Sequence, residues 1–217
     1  MSKLKIGIIG SGKLAISAVS AIEASKEFQL AGIYSKRTDI ECTHDLPALV
    51  GDSDVLIDCS ISGFEQRLAD IAKPIVIATT QEYDDRKLPN VPILILPNAS
   101  IGWNMAHIML EKLAKQGGYE FIISDIHHKH KKDAPSGTAR RLIKALQDAG
   151  AQTSCSSYRI GDVCGIHDVI AIGEHEMIKI EHSASSRMAF GHGLLKAAFW
   201  LSKQKTGIYD ARDWLSA

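Results

Sequence analysis

Residues 127–140, HHKHKKDAPSGTAR, combine side chains that can transfer protons with side chains that can bind an anion. Histidine changes its charge near neutral pH, so His127 and His128 are candidates for general acid–base chemistry. Side chains alternate faces along a strand, so part of this run must point to solvent. Lys129 and Lys132 are predicted to be surface charges without a role in the chemistry.

The Ser136-Gly137-Thr138 step stands where a helix is predicted to begin. The first backbone N–H groups of a helix are unpaired and carry the positive end of its dipole, which favours an anion. Gly137 permits close approach, and the hydroxyls of Ser136 and Thr138 can donate further hydrogen bonds. Lys131 and His128 can supply opposing charge. The segment therefore predicts a pocket for one or two carboxylates or for a phosphate, although the P-loop pattern is absent.

Metal ions and nucleic acids are poor partners for this segment. Three histidines alone make a weak ligand set, and the lysines among them repel a cation, so no metal is predicted. The chain balances 25 Lys and Arg against 25 Asp and Glu, and no aromatic residues interrupt the basic run. A nucleic-acid binder usually carries a basic surplus, so no nucleic-acid partner is predicted.

A second chemical motif, Gly10-Ser11-Gly12-Lys13-Leu14-Ala15, follows the first predicted strand and opens the first predicted helix. In this G-x-G-x-x-A pattern the first glycine makes the tight turn, and the second lets the backbone approach a pyrophosphate. The small third residue lets helix and strand pack. The motif favours a dinucleotide site, and a plain tight turn is the alternative.

The end of the second predicted strand bears on which dinucleotide would bind. NAD sites usually place an acid there for the ribose 2′-hydroxyl, whereas NADP sites place a basic group for the 2′-phosphate. Here the strand ends in Ser35-Lys36-Arg37. This favours NADPH, with NADH as a second cofactor; alternatively, Lys36 and Arg37 are ordinary surface charges.

The elements that must position these motifs fall into two groups. Over the first hundred residues, short apolar strands alternate with helices, which is typical of βαβ units and a parallel sheet. The fold class is therefore α/β, a Rossmann-type doubly wound parallel sheet. The predicted strands are 4–9, 28–34, 55–59, 74–78 and 92–96, and the predicted helices are 14–24, 45–50 and 63–72.

The second half changes pattern and predicts a smaller α+β domain, which carries the anion pocket and would bind the substrate. Two of its strands are joined by a turn and should run antiparallel. The predicted strands are 121–126, 169–172 and 176–182, and the predicted helices are 103–115, 138–149 and 192–204. The predicted domains are 1–97 for the dinucleotide and 98–197 for the substrate, with the tail 198–217 packing back on the first.

The composition is ordinary for a soluble globular protein: 217 residues, 45% hydrophobic and 23% charged. No apolar run approaches the ~20 residues of a membrane span, so no membrane partner is predicted. The four cysteines are scattered without a CxxC pair, which is typical of reduced thiols. A cytoplasmic location is expected.

The run from His127 to Thr138 closely resembles the signature of the 4-hydroxy-tetrahydrodipicolinate reductase (dihydrodipicolinate reductase) family, which acts in the diaminopimelate route to lysine. The similarity covers most of the chain. The other matching segments are Ala78-Thr79-Thr80 and residues 97–104, 159–162, 185–188 and 207–210.

The resemblance implies a role for each matching residue. His127 would be a proton donor and acceptor, and Lys131 a proton donor. His128 would contact the substrate, and Gly137 and Thr138 would hold one of its carboxylates, with Ser136 beside them. The substrate would be a small dicarboxylate, and the assembly a homotetramer.

The resemblance also implies a nicotinamide cofactor bound by the glycine loop, the strand tip and two backbone segments at the nicotinamide. The residues expected to bind it are Gly10, Ser11, Gly12, Lys13, Leu14, Ser35, Lys36, Arg37, Ala78, Thr79, Thr80, Pro97, Asn98 and Ala99.

The chain departs from the family pattern in its glycine loop, which is one residue shorter, and at Ser35, where the family often has an acid. The segment 38–54 is also short. Two other functions stay open at this point: a non-catalytic NADP(H)-binding sensor on the same fold, and a dehydrogenase of another small carboxylate.

Overall fold

The structure is a computed structural model that describes residues 2–37, 39, 41–60, 68, 71–79 and 88–216. The chain divides into two compact units, Met1–Ala99 with Met188–Ala217, and Ser100–Arg187. Most of the predicted helix 63–72 falls outside the described residues, and so does Thr80. None of the helices in the described ranges is long and apolar enough to cross a lipid bilayer.

The elements alternate between strand and helix from residue 4 to residue 58. In chain order the strands are β1 Leu4–Ile9, β2 Phe28–Tyr34, β3 Val55–Asp58, β4 Ile75–Ile77, β5 Pro92–Ile95, β6 Glu120–His127, β7 Thr153–Arg159, β8 Ile166–Ile172, β9 Met177–Ser183 and β10 Gly207–Tyr209. The helices are α1 Lys13–Glu23, α2 Leu46–Asp52, α3 Ile101–Gln116, α4 Gly137–Asp148, α5 Met188–Leu201 and α6 Ala211–Leu215.

The first unit contains a parallel sheet with the strand order β10-β5-β4-β3-β1-β2. Strands β3 and β4 at its centre are buried along their whole length, because both faces of a parallel sheet are covered. Leu56, Ile57 and Ile75 are fully buried in this core. The predicted Rossmann-type parallel sheet is confirmed, and the tail adds its edge strand β10 beside β5.

Helix α5 lies in the first unit, whereas the predicted boundary placed residues up to 197 in the second domain. The reason is close packing through glycines. A Cβ on Gly191 would come within 2.8 Å of the backbone of Ser17 in α1, and one on Gly193 would lie 2.9 Å from the carbonyl carbon of Ala99. The helix therefore packs against the first unit at positions where only glycine fits.

The second unit contains a mixed sheet with the order β7-β6-β8-β9. Strand β6 runs parallel to β7 and antiparallel to β8, and β8 runs antiparallel to β9. One face packs on α3 and α4 through a core that includes Trp103, Phe121, Leu142 and Val169. Strand β7 was not predicted. Strand β8 begins three residues earlier than predicted, and β9 is shifted by one residue.

Two serines fix where the helices of this unit begin. Ser100 caps α3 by accepting the N–H of Trp103, and Ser136 caps α4 by accepting the N–H of Ala139. The Ser136 cap places Gly137 and Thr138 in the first turn of α4, as predicted. All four cysteines carry free thiols.

Candidate active site

A buried carboxylate, Asp125 on β6, lies at the centre of the polar groups in the second unit. Its side chain has no exposed surface. Its Oδ2 atom accepts hydrogen bonds from Arg159 Nη2 at 2.9 Å, from the Ser136 backbone N–H at 2.8 Å and from the Ser157 hydroxyl at 3.4 Å. The carboxylate therefore joins β6 to β7 and to the beginning of α4.

Two histidines approach the other oxygen of Asp125. His127 Nδ1 lies 3.0 Å from Oδ1, and His167 Nε2 lies 3.4 Å from it. Both histidines are buried, and the indole ring of Trp103 packs against His167 with 4.5 Å between ring centroids. His127 and Asp125 share a face because they are two residues apart on one strand.

The surroundings of Asp125 keep it ionised. Burial raises its pKa, but the contacts with His127, His167 and Ser136 outweigh burial and hold the pKa well below its usual range. The pair with Arg159 supplies an opposite charge inside the unit. The negative charge of the Asp125 carboxylate therefore lies next to His127.

The start of α4 already holds a carboxylate, that of Asp133. Asp133 Oδ2 accepts the backbone N–H of Gly137 at 3.2 Å, and Oδ1 lies 2.7 Å from Lys131 Nζ. Partial burial raises the pKa of Asp133, but Lys131 and the backbone donors lower it by more, so the net shift of the pKa is downward. The predicted anion position at this helix thus accommodates a carboxylate together with the lysine.

The rest of the basic run separates by exposure. Lys129, His130 and Lys132 are exposed, whereas His128 is half-buried. The prediction that Lys129 and Lys132 point to solvent is confirmed. His128 is held by its backbone, since its N–H donates to the carbonyl of Val163 at 3.1 Å.

Asp125, His127 and His167 could in geometric terms hold a metal ion, because one ligand atom from each lies within 4.8 Å of the others. However, the Arg159 guanidinium already binds the same carboxylate at 2.9 Å. A cation beside the carboxylate would meet this positive charge, so the group is better suited to proton chemistry than to metal binding. The prediction of no metal remains a prediction.

In the first unit the glycine loop makes a tight turn before α1. Gly10 has φ +104°, and a Cβ there would come within 2.8 Å of the Cys59 backbone, so only glycine fits this turn. No described residue lies within 4 Å of the Cβ position of Gly12, which precedes the first residue of α1. The loop therefore leaves open space at the helix start, and its residues fit a dinucleotide.

Ser35 follows the last residue of β2 and lies beside this loop. The Ser35 hydroxyl lies 2.8 Å from that of Ser11, which brings two predicted cofactor residues together. Lys36 is exposed. Arg37 donates from Nε to Asp39 at 2.8 Å, and this bond is the main cause that lowers the pKa of Asp39 to about 2. Arg37 is thus paired with an acid that the sequence prediction did not consider.

The remaining cofactor candidates of the described chain lie at the ends of β4 and β5. Ala78 and Thr79 follow β4 and are buried. Pro97 and Asn98 are half-buried, and Ala99 is buried against α5. Their roles at a nicotinamide stay predictions.

Three polar residues of the second unit were not assigned a role from the sequence: Asp125, Arg159 and His167. The alternation of β6 could have pointed to Asp125, which shares a face with His127. Arg159 and His167 come close to Asp125 only through the pairing of β7 and β8 with β6, in the registers His127↔Arg159 and Asp125↔His167.

Comparisons with known proteins agree with this geometry. Residues 102–215 match the sequence profile of the family described as "Dihydrodipicolinate reductase, C-terminus". The chain is 33% identical to the 4-hydroxy-tetrahydrodipicolinate reductase of Zymomonas mobilis subsp. mobilis, covering 99% of this chain and 98% of that one. It is 34% identical to the enzyme of the same name from Campylobacter curvus, covering 98% and 99%.

Among solved structures, the fold is similar to a dipicolinate-bound dihydrodipicolinate reductase from Paenisporosarcina sp. TG-14. The TM-score is 0.82 at 16% identity, over 98% of this chain and 99% of that one. The fold and the helix-start motif agree with the family that the sequence resembles. This chain belongs to the dihydrodipicolinate reductase family.

Proposed function

We propose that the protein reduces 4-hydroxy-tetrahydrodipicolinate to tetrahydrodipicolinate with NAD(P)H in the diaminopimelate route to lysine. The reaction consumes the dicarboxylate, one NAD(P)H and one proton, and it yields the reduced ring, NAD(P)⁺ and water. The observation that carries the proposal is the family motif itself, which places a histidine, a lysine and a helix start around two carboxylates, Asp125 and Asp133.

We infer that the first turn of α4 binds one substrate carboxylate. Support comes from Asp133, because Gly137 N–H and Lys131 Nζ already bind the two oxygens of its carboxylate at 3.2 and 2.7 Å. A substrate carboxylate in this position would receive the same donors. The hydroxyls of Ser136 and Thr138 stand in the same turn, and His128 adds a nearby imidazole.

Lys131 is proposed to donate the proton that the ring nitrogen takes up. Its side chain is 24% exposed, so it can recover a proton from water after each turnover. His127 is proposed to exchange protons at the same site, with its charge stabilised by the buried carboxylate of Asp125. Together these groups prevent negative charge from building up on the ring nitrogen.

The proposed cofactor is NADPH, with NADH as a second substrate. When bound, it supplies the hydride. Gly10 to Leu14 would bind the pyrophosphate at the start of α1, which is supported by the open space at Gly12. Ser35 and Lys36 would face the 2′-phosphate; Arg37 would have to leave Asp39 to join them.

We infer a homotetramer. Support comes from the sheet of the second unit, whose face away from α3 and α4 exposes apolar side chains. Ile122, Tyr158, Ile172 and Met177 are 40–64% exposed. A sheet face of this kind is usually covered by a partner. Sedimentation velocity would give the mass of the assembly, and a monomer at micromolar concentration would contradict the inference.

A cytoplasmic location is proposed as well, and the four free thiols support it. Fractionation of the source cells with an antibody against the protein would check the location. Recovery from an oxidising compartment would contradict it.

The activity is tested by following the loss of reduced-nicotinamide absorbance. Because the substrate is unstable, it is generated in the cuvette from pyruvate and aspartate semialdehyde by the synthase that forms it. NADPH and NADH are run side by side. Oxidation that requires the synthase supports the reductase. Binding of both nucleotides without turnover would instead favour the sensor, and a faster rate with NADH would contradict the proposed preference.

A further inference from the structure

The two oxygens of the Asp125 carboxylate have different partners. Oδ2 receives three donors, from Arg159, Ser136 and Ser157, at 2.9, 2.8 and 3.4 Å. Oδ1 receives no hydrogen bond from the part of the chain that the structure describes, although His127 Nδ1 lies 3.0 Å away. Oδ2 thus binds groups on β7 and at the start of α4, and Oδ1 faces His127.

His127 Nδ1 and Asp125 Oδ1 are both buried, and neither has a hydrogen-bond partner among the described residues. A buried polar atom left without a hydrogen bond destabilises the folded state. A small rotation of the imidazole, whose χ2 well is broad, would align an Nδ1–H with Oδ1 and satisfy both atoms. This arrangement requires the proton of His127 to be on Nδ1.

The opposite ring nitrogen of His127, Nε2, lies beside a glycine. A Cβ on residue 165 would lie 2.9 Å from His127 Nε2, so Gly165 leaves the space beside this atom. With a proton on Nδ1, Nε2 carries the lone pair that can exchange a proton with a substrate.

We propose that Asp125 is the positioning residue of this site: its Oδ1 fixes the His127 tautomer with the proton on Nδ1, and its Oδ2 holds the start of α4 through Ser136 N–H. The inference rests on the proposed reductase function and adds a residue to it. A single buried carboxylate thereby aligns the proton-transfer group with the turn that binds the substrate carboxylate.

The substitution Asp125→Asn tests this arrangement because the side chain keeps its shape. Three donors converge on the Oδ2 position, so the amide oxygen must take that place and the amide NH₂ must face His127 Nδ1. An NH₂ can only donate there, which forces the His127 proton onto Nε2. In serine-protease triads the corresponding change leaves the geometry intact and lowers kcat about 10⁴-fold through the wrong tautomer.

Other titratable and charged groups also lie around Asp125, and they remain in the Asp125→Asn variant. They are Arg159 and Cys155 on β7, His127 on β6 and His167 on β8. The amide oxygen would still accept from Arg159 in the variant, so the scaffold contacts of Oδ2 are retained. We therefore expect kcat to fall at least ~10²-fold, while the substrate KM changes less than about threefold.

The matched control is Asp148→Asn. Asp148 is the last residue of α4, and its exposed carboxylate pairs with Lys144 at 2.7 Å, away from the helix start. Its kcat should stay within about twofold of the wild type. Both variants are assayed with the synthase-coupled substrate, and the ¹⁵N-histidine-labelled wild type and Asp125→Asn proteins are examined by long-range ¹H–¹⁵N NMR at about pH 8.5, above the ordinary imidazole range.

The expected spectra show the His127 proton on Nδ1 in the wild type and on Nε2 in Asp125→Asn. A wild-type His127 with an unprotonated Nδ1 overturns the proposal, and so does a folded Asp125→Asn protein with near-normal kcat. If Asp125→Asn does not fold, the wild-type spectrum alone decides. If the wild type lacks reductase activity, the proposed function fails, but the tautomer still tests the role of Asp125.

Discussion

The carboxylate of Asp133 occupies the position where the substrate carboxylate is proposed to bind, and its removal should strengthen binding. Asp133 accepts Gly137 N–H at 3.2 Å and lies 2.7 Å from Lys131 Nζ. A substrate carboxylate must displace this side chain and meets its negative charge on approach. Asp133→Asn removes the charge and keeps a carbonyl of the same shape.

The size of the effect follows from exposure. The Lys131 and Asp133 side chains are 24% and 40% exposed, so their pair belongs to the partly screened class worth about 0–1 kcal/mol. Since 1.4 kcal/mol corresponds to a tenfold change in affinity, dicarboxylate binding should tighten by up to about fivefold. The free energy of unfolding should fall by less than about 1 kcal/mol for the same reason.

Isothermal titration with dipicolinate, a stable planar dicarboxylate, measures the change directly. The control is Asp148→Asn at the other end of the same helix, where the carboxylate pairs with Lys144 at 2.7 Å on the exposed surface. Asp148→Asn should leave the Kd unchanged. Equal or weaker dipicolinate binding by a folded Asp133→Asn protein would refute the competition between the two carboxylates.

Three further perturbations test the site and the scaffold. Lys131→Ala should lower kcat at least ~10²-fold, because a positioned proton donor is lost; near-normal turnover would contradict that role. Gly193→Ala should lower the free energy of unfolding by about 3 kcal/mol or more, because the new Cβ meets the Ala99 backbone. Gly51→Ala, in open space on α2, should instead stabilise by up to ~1 kcal/mol; urea titration measures both, and equal effects would refute the packing argument. Burial and the neighbouring imidazole lower the pKa of His182 from 6.5, so the unfolded chain takes up its proton first as the pH falls. The free energy of unfolding, measured by urea titration, should fall from pH 7 to pH 5 in the wild type and fall less in His182→Gln. An equal fall in the two proteins would contradict this.

The first unit could be predicted because its signals are local. Each buried strand is a short apolar run, and the glycine loop follows β1 directly, so spacing alone indicated the parallel sheet and the helix start. The packing of α5 on the first unit could not be predicted in this way, since it depends on Gly191 and Gly193 meeting chain segments more than 90 residues away.

The linear motif of the candidate site could be predicted from the sequence, but the residues that hold this motif in place could not. His127, Lys131 and the α4 start lie within a dozen residues of one another, whereas Asp125 gathers partners from β7 and β8. Strand β7 was missed because Thr153-Ser-Cys-Ser-Ser carries small, mostly polar residues without apolar alternation. Pairing with β6 forms this strand, and that pairing brings Arg159 to the carboxylate.

The parallel sheet of the first unit contains strands from both sides of the second unit in the sequence, because β10 pairs with β5 across more than 100 residues. During synthesis, β5 emerges first and keeps an unpaired edge until residues 207–209 have left the ribosome. The second unit, which is continuous in sequence, can complete its own sheet before then. A premature stop after α5 would therefore spare the second sheet and leave β5 as an exposed edge, a template for aggregation. Removal of residues 207–217 should therefore lower the yield of folded protein.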